Sequence, residues 1–335
     1  MRTRLDPVLP PLLMSPRITK RLPHDARRIG WGREGDVALV IGSDSRFSVV
    51  DAELEVVVDG EVRNADLRAG VVDADASGGG QLAFAARAAF ILSDFGATSV
   101  STHTHRAWQP HEGGDVRFLE DGRIVCVCPG KDGAPAVQLR DPASGLVHEE
   151  ASARFPPNAR FRLVATPDPE AFLIEVVPLG VPSSVFLLHV DEAPHLREAP
   201  ALAAEGAGPL VFGPDGVAAR VTQTGVERWR WVGGELLPLD RWNATDDASH
   251  LEGAALHPEL VPLGPDQLLV AERDGARFHL LDVASMRLAL PVLLEALKPP
   301  LNHLLGEPAG DRILLAHGDD GVLLSLLEPP FGEVS

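Results

Sequence analysis

Apolar residues in this chain fall in short runs that alternate with polar ones and are cut by Gly, Pro and Asp. Alternation of period two, bounded by turn residues, predicts strands rather than helices. One run sets the pattern. Val137-Gln-Leu-Arg-Asp-Pro-Ala-Ser-Gly-Leu146 is an alternating strand, an Asp, a short turn and a further apolar run, and Phe278-His-Leu-Leu-Asp-Val-Ala-Ser-Met-Arg-Leu288 repeats it. Relatives of its strand occur at Phe47–Asp51, Phe90–Asp94, Val185–His189, Val226–Arg230 and Val322–Leu326. Successive anchors are about 41 to 52 residues apart, the rhythm of one four-stranded propeller blade.

The turns repeat with the strands. Upstream of the anchors, Ile124–Cys128 leads through Gly130-Lys-Asp-Gly133, Ala218–Val221 through Thr224-Gly225, Leu268–Ala271 through Arg273-Asp-Gly275, and Ile313–Ala316 through Gly318-Asp-Asp-Gly321. Asp-Gly between two apolar runs is a hairpin signal, because the tight hairpin turns need positive φ. Leu119-Glu-Asp-Gly122, Phe212-Gly-Pro-Asp-Gly216, Leu263-Gly-Pro-Asp266 and Leu305-Gly-Glu-Pro-Ala-Gly310 form an earlier turn series. Fourth strands are predicted at Leu54–Val58, Ser99–His103, Leu146–Glu149 and Leu236–Leu239. The last unit has no room for one, since Glu-Pro-Pro-Phe-Gly follows Leu327. An open edge invites aggregation, and Arg17-Ile-Thr-Lys-Arg-Leu22 has no other place. The pattern therefore predicts an all-β fold: a single β-propeller of seven four-stranded blades, closed by an N-terminal strand that completes the last blade. Six or eight units also fit the rhythm. Residues 1–16 read as an N-terminal arm and 17–330 as the propeller.

The two best repeats resemble the third-strand signature of WD-repeat proteins, in which a Trp-Asp pair ends the strand before a small-Gly turn. Asp141 and Asp282 match the Asp; Arg140 and Leu281 stand where Trp is usual, and the Gly-His dipeptide that opens each repeat is absent. The resemblance implies a divergent WD-like propeller and an interaction scaffold.

Composition narrows the function. A net charge of −18 disfavours a phosphate backbone as partner, so no nucleic acid is expected. The first residues are locally basic, with Arg2, Arg4, Arg17, Lys20, Arg21, Arg27, Arg28 and Arg33. They suit either an acidic partner or the acidic body of the same fold. No stretch is apolar for the ~18 residues a membrane span needs, and Val8–Met14 is too short and Pro-broken for a secretory leader. The chain reads as cytoplasmic. Its only cysteines, Cys126 and Cys128, read as core thiols. Arg greatly outnumbers Lys, which suggests a GC-rich, bacterial genome.

Catalytic motifs are missing: there is no G-x-S-x-G, no P-loop and no supported G-x-G-x-x-G. His103, His105 and His111 are conceivable Zn ligands, or simply a strand end and loop. Trp108, beside them, is a candidate contact anchor. The turn residues Asp44, Asp132, Asp274, Asp319 and Asp320 would cluster on one face if the repeats are equivalent, giving an acidic mouth for a basic peptide; Asp is also ordinary turn chemistry. The expected function is a non-catalytic protein–protein interaction scaffold using the loop face, with a protein or peptide partner, a basic one if the acidic mouth forms, and no cofactor. The alternatives are a propeller enzyme, such as a metal-assisted hydrolase or lactonase with its site at the central channel, and a structural component of a larger bacterial assembly.

Overall fold

The computed structural model describes residues 12–327 apart from 15, 33–36, 63–66, 75–79, 87–89, 97–98, 106–113, 120, 142–145, 153–154, 157–158, 179–182, 191–194, 200–207, 214–215, 223–224, 244–255, 265–266, 273–277, 283–286, 295–303, 310–311 and 318–320. The described residues are built from strands throughout. Two lie ahead of the first repeat: β1 (Leu12–Met14) and β2 (Ile18–Arg21). The first sheet is β3 (Arg28–Trp31), β4 (Val37–Ile41), β5 (Arg46–Asp51) and β6 (Val56–Glu61). The second is β7 (Leu67–Ala74), β8 (Gly80–Ala86), β9 (Phe90–Gly96) and β10 (Ser99–His105). The third is β11 (Val116–Phe118), β12 (Ile124–Pro129), β13 (Pro135–Arg140) and β14 (Val147–Ser152). The fourth is β15 (Arg160–Ala165), β16 (Ala171–Val177), β17 (Ser184–His189) and β18 (His195–Glu198). The fifth is β19 (Val211–Phe212), β20 (Val217–Val221), β21 (Gly225–Val232) and β22 (Glu235–Asn243). The sixth is β23 (Leu256–Gly264), β24 (Gln267–Glu272), β25 (Phe278–Asp282) and β26 (Arg287–Leu294), with β1 added beyond β26. The last contains β27 (Leu304–Ala309), β28 (Arg312–His317) and β29 (Leu323–Leu327), and its fourth strand is β2.

Each anchor run of the sequence is the third strand of its sheet. Local chemistry explains why. The anchor Asp51 accepts hydrogen bonds from the amides of Glu53 and Glu55, tying the turn that follows β5. Asp121, Asp132 and Asp168 do the same for the amides two residues on, the Asx-turn use of an aspartate. Gly122, Gly133, Gly216 and Gly321 all have positive φ, as the Asp-Gly and Pro-Asp-Gly turns require.

The second strands are buried on both sides. β12 reads Ile-Val-Cys-Val-Cys-Pro with its first five residues buried, and β4, β16, β20 and β28 are similar. A strand apolar on both faces needs a packing partner on each. Neighbouring sheets supply them. Leu39, Phe47 and Val49 meet Leu82 and Phe84 of the second sheet; Ala83 meets Val116, Ile124 and Cys126 of the third; Val125, Val137 and Leu139 meet Phe161, Leu163 and Phe172 of the fourth. The series continues through Leu173, Leu187, Ala218 and Trp229, then Val221, Trp242, Leu260 and Val270. Leu314, Ala316, Leu324 and Leu326 pack on Ala38, Val40 and Val50 and return to the first sheet.

First strands also touch in sequence around an inner circle: β3 with β7, β7 with β11, β19 with β23, β23 with β27 and β27 with β3. At the other two junctions, buried Asp115, just ahead of β11, accepts from the amide of Leu163 in β15 at 2.9 Å, and buried Glu175 on β16 accepts from the amide of Leu210, just ahead of β19, at 2.9 Å. The chain is a single β-propeller.

β2 pairs antiparallel with β29, from Ile18 opposite Leu326 to Arg21 opposite Leu323. The expected N-terminal closing strand is thus present. Two basic residues at this strand pair with the body of the same chain, Arg17 just ahead of it with Glu53 and Lys20 within it with Glu55. Both pairs are exposed and add little stability. The alternation of the sequence did not announce β1, which lies in the segment read as an arm.

Among the described glycines the tightest backbone approach is at Gly225, where a Cβ would lie 1.7 Å from the carbonyl oxygen of Trp242. No side chain fits there without parting β21 from β22. Gly225→Ala is expected to destabilise the protein by more than ~3 kcal/mol, read as a large fall in urea midpoint; a midpoint within error of the parent would contradict the close pairing.

Candidate functional site

Three features stand out among the described residues: polar seams between strands, a charged chain between two sheets, and one apolar outer hairpin.

The seams share a position. In four sheets the pairing of third and fourth strands slips at the same place, between Val49 and Val50, Leu139 and Arg140, Arg228 and Trp229, and Leu280 and Leu281. Such bulges strengthen the local twist. The residue just before each slipped pair is polar: Ser48, Gln138, Glu227 and His279. Ser48 links His24 and Asp59, at 2.8 and 3.0 Å. Gln138 donates to Glu150 at 2.7 Å and accepts from Arg140. In the last sheet His317 meets Ser325 at 2.7 Å, and Ser325 meets Thr19 of β2 at 2.8 Å. This last seam ties the closing strand to the second strand of its sheet. Ahead of the first sheet, burial alone would raise the Asp25 carboxyl, but hydrogen bonds from Ser43 and the charge of Arg27 outweigh it and hold Asp25 below its ordinary value.

The charged chain runs from the innermost strand of the fourth sheet to the outermost of the fifth. Arg162 pairs with Glu175 at 3.4 Å, Arg220 with Glu227 at 3.4 Å, and Glu227 with Arg241 at 3.6 Å. Glu175 and Arg220 also attract one another across the gap between the sheets. Burial raises the Glu175 carboxyl and lowers Arg220, against the pull of these partners. Arg220 also stacks over Trp229, 4.9 Å from the ring centre. Buried charge of this kind adds little net stability, yet removing one member strands the others. Its chemistry is satisfied within the protein, apart from Arg220 Nε, which has no partner among the described residues.

The apolar hairpin is at the outer edge of the fifth sheet. Val232 and Glu235 close a two-residue Gly233-Gly234 turn with positive φ at both glycines. Around it Val232, Leu237 and Leu239 are 49, 48 and 39 % exposed, and Leu236 and Trp231 are half-buried beside them. Of the other exposed apolar residues, Val177 ends β16 at the far end of the sheets, while Val56 and Val147 begin fourth strands and Leu146 precedes one at the same end as this hairpin. This is the end opposite the turns that join second to third strands.

The residues singled out from sequence are distributed as follows. Asp44 and Asp132 lie in the turns between second and third strands, on one end of the ring, and both are exposed. Asp132 is engaged in its own turn, accepting from Ala134. Asp274, Asp319, Asp320, Trp108 and His111 lie outside the described residues. His103 and His105 are two apart on β10, opposite Leu92 and Phe90 of β9. Cys126 and Cys128 are buried free thiols with sulfurs 3.5 Å apart, and burial, then the neighbouring thiol, pushes Cys126 well above its ordinary value. Among the described residues no three His, Cys, Asp or Glu side chains gather as a metal site. The outer hairpin escaped the sequence reading because Leu236–Leu239 was needed there only as a strand.

Comparison with solved structures finds the same architecture. The β-propeller domain of Cps50 (Swd1) from Myceliophteria thermophila superposes with a TM-score of 0.64 at 11 % identity, covering 93 % of this chain and 99 % of that one. The fold this chain shares with it is a β-propeller, consistent with the resemblance of its repeats to WD-like propellers. YCF48 bound to D1 peptide matches this propeller with a TM-score of 0.61 at 14 % identity, over 94 % of this chain and 96 % of that one. A virginiamycin B lyase from Staphylococcus aureus, solved as an inactive variant with quinupristin, gives 0.58 at 12 % identity, over 93 and 99 %. No family model and no curated protein matches the propeller by sequence.

The His317 seam makes the propeller sensitive to pH. Burial pushes His317 down to about 4 from its ordinary 6.5. An unfolded chain takes up this proton below pH 6.5 while the folded one refuses it until about 4. Stability from this residue is therefore complete above pH 6.5 and is lost as pH falls toward 4, by at most about 3 kcal/mol. Urea titrations between pH 4 and 7 are expected to show a shallower pH dependence for His317→Gln than for the parent; parallel curves would contradict the assignment.

Proposed function

We propose that the protein is a non-catalytic scaffold that binds a protein or peptide partner, and that its sheets are the seven blades of one ring. The observation that carries the first part is the outer hairpin of the fifth sheet. Isolated exposed apolar residues are ordinary, but Val232, Leu237 and Leu239 sit together on one paired hairpin, with Trp231 and Leu236 behind them. Apolar residues held on a rigid element, with side chains already ordered, are how protein interfaces gain affinity at low entropic cost. The exposed Glu235–Arg197 pair and Asp240, which buried Arg228 holds from within the sheet, form a polar rim. A chain of net charge −18 favours a partner whose contacting surface is neutral or basic. Supporting the reading, one fold neighbour was solved bound to a peptide. The blade count rests on the seven sheets into which the described strands fall.

The double variant Leu237→Glu, Leu239→Glu tests it. Both residues are surface-exposed, so the melting temperature is expected to stay within a few degrees of the parent. Parallel affinity captures from the native host should lose a partner that the parent retains, with affinity for it falling roughly thirtyfold or more, as for removal of an interface hot spot. An unchanged set of captured proteins would contradict the proposal.

A further inference from the structure

The fourth strand of the sixth sheet differs from every other outer strand. β6 carries Asp59 and Glu61, β14 carries Glu149 and Glu150, β18 carries Arg197 and Glu198, β22 carries Glu235, Asp240 and Arg241, and β2 carries Lys20 and Arg21. β10 has no such charge but is made largely of Ser, Thr and His. β26 begins with Arg287 and then reads Leu-Ala-Leu-Pro-Val-Leu-Leu without one polar residue. Charges on edge strands are the usual defence against pairing with foreign strands. β26 lacks that defence, apart from Pro291 within it.

It is also the outer strand that carries an additional strand. Leu12, Leu13 and Met14 pair in parallel with Val292, Leu293 and Leu294. The sheet already has its four strands without β1. The ring is closed independently, by β2 on β29 and by the Arg17–Glu53 and Lys20–Glu55 pairs. The strap can therefore leave the edge while the closing strand stays in place, and only residues 15–17 separate the two.

We propose that the outer edge of β26 is a strand-acceptor site, that Leu12–Met14 is its resident occupant, and that an uncharged apolar extended segment of a partner protein exchanges with it in the same parallel register. Backbone pairing would supply the affinity, and the lack of charge on β26 would select an apolar occupant. The inference rests on the reading of the protein as a protein-binding scaffold but uses a different surface from the fifth-sheet hairpin. While the strap is seated, the site is open only for the fraction of time that the strap is off, and apparent affinity falls by that fraction.

The test uses the full-length chain and a fluorescent peptide with the sequence of residues 8–15. Leu13→Asp, which disfavours the strap on its apolar edge, should bind this peptide at one site and roughly tenfold or more tighter than the parent does. A peptide carrying Asp at the positions of Leu12 and Leu13 should not bind. Hydrogen exchange should rise at 292–294 in Leu13→Asp and remain unchanged in β29. Equal or absent peptide binding in parent and variant would overturn the proposal. So would a variant whose exchange rises around the whole ring, because the strap would then be a structural strand. The hairpin double variant should bind the peptide as the parent does, so failure here and failure of the scaffold reading are told apart.

Discussion

The packed sheets of this protein are, among the described residues, apolar on both faces, and that constraint governs the rest. A sheet such as β11–β14, with Val125, Val137 and Leu139 on one side and Ile124 and Cys126 on the other, cannot be stable alone or at the end of a stack. Each additional sheet buries one face and exposes another. Only a closed ring leaves no face exposed. Leu314, Ala316, Leu324 and Leu326 meeting Ala38, Val40 and Val50 is where that closure takes place. β2 fastens the same junction covalently close to the first sheet and by hydrogen bonds to the last.

Burial of apolar surface is non-directional, so it does not by itself fix which strand lies beside which. The polar seams add that direction. Ser48 between His24 and Asp59, Gln138 beside Glu150, and Glu227 between Arg220 and Arg241 each join strands at one register. A slip of one residue would turn these groups to the other face, against apolar neighbours and without partners. The recurring bulge after the polar residue keeps this arrangement from one sheet to the next.

Much of the fold could be read from the chain because the third strand and its turn are local. Phe47–Asp51, Val137–Asp141 and Phe278–Asp282 show alternation, and an Asp such as Asp51 is needed for the turn that follows. The weak repeat at Val226–Arg230 falls at the same place in its sheet, although Glu227 and Arg228 break its apolar character; they belong to ion pairs with residues on other strands. What local pattern does not show is anything assembled across sheets. Glu175 and Arg220 meet only because two sheets stack. His24 had no visible role until folding brought Ser48 to it. β1 is three residues in a Pro-rich stretch, too short for period two to be seen. The candidate surface was missed for a related reason. A sequence distinguishes apolar from polar, but the exposure of Leu237 and Leu239 is a property of the outermost strand's position.

Closure by the N-terminal strand is the central claim, and native-state hydrogen exchange tests it most directly. The amides of Arg17 and Leu22 donate to Leu326 and Val322. If β2 is an integral strand of the last sheet, the amides it directs at β29 exchange only with the global unfolding of the ring, at the same free energy as the slowest amides of β28 and β29. Exchange of β2 at the rate of a free peptide, with β28 still protected, would show that the ring closes without it and would contradict the account.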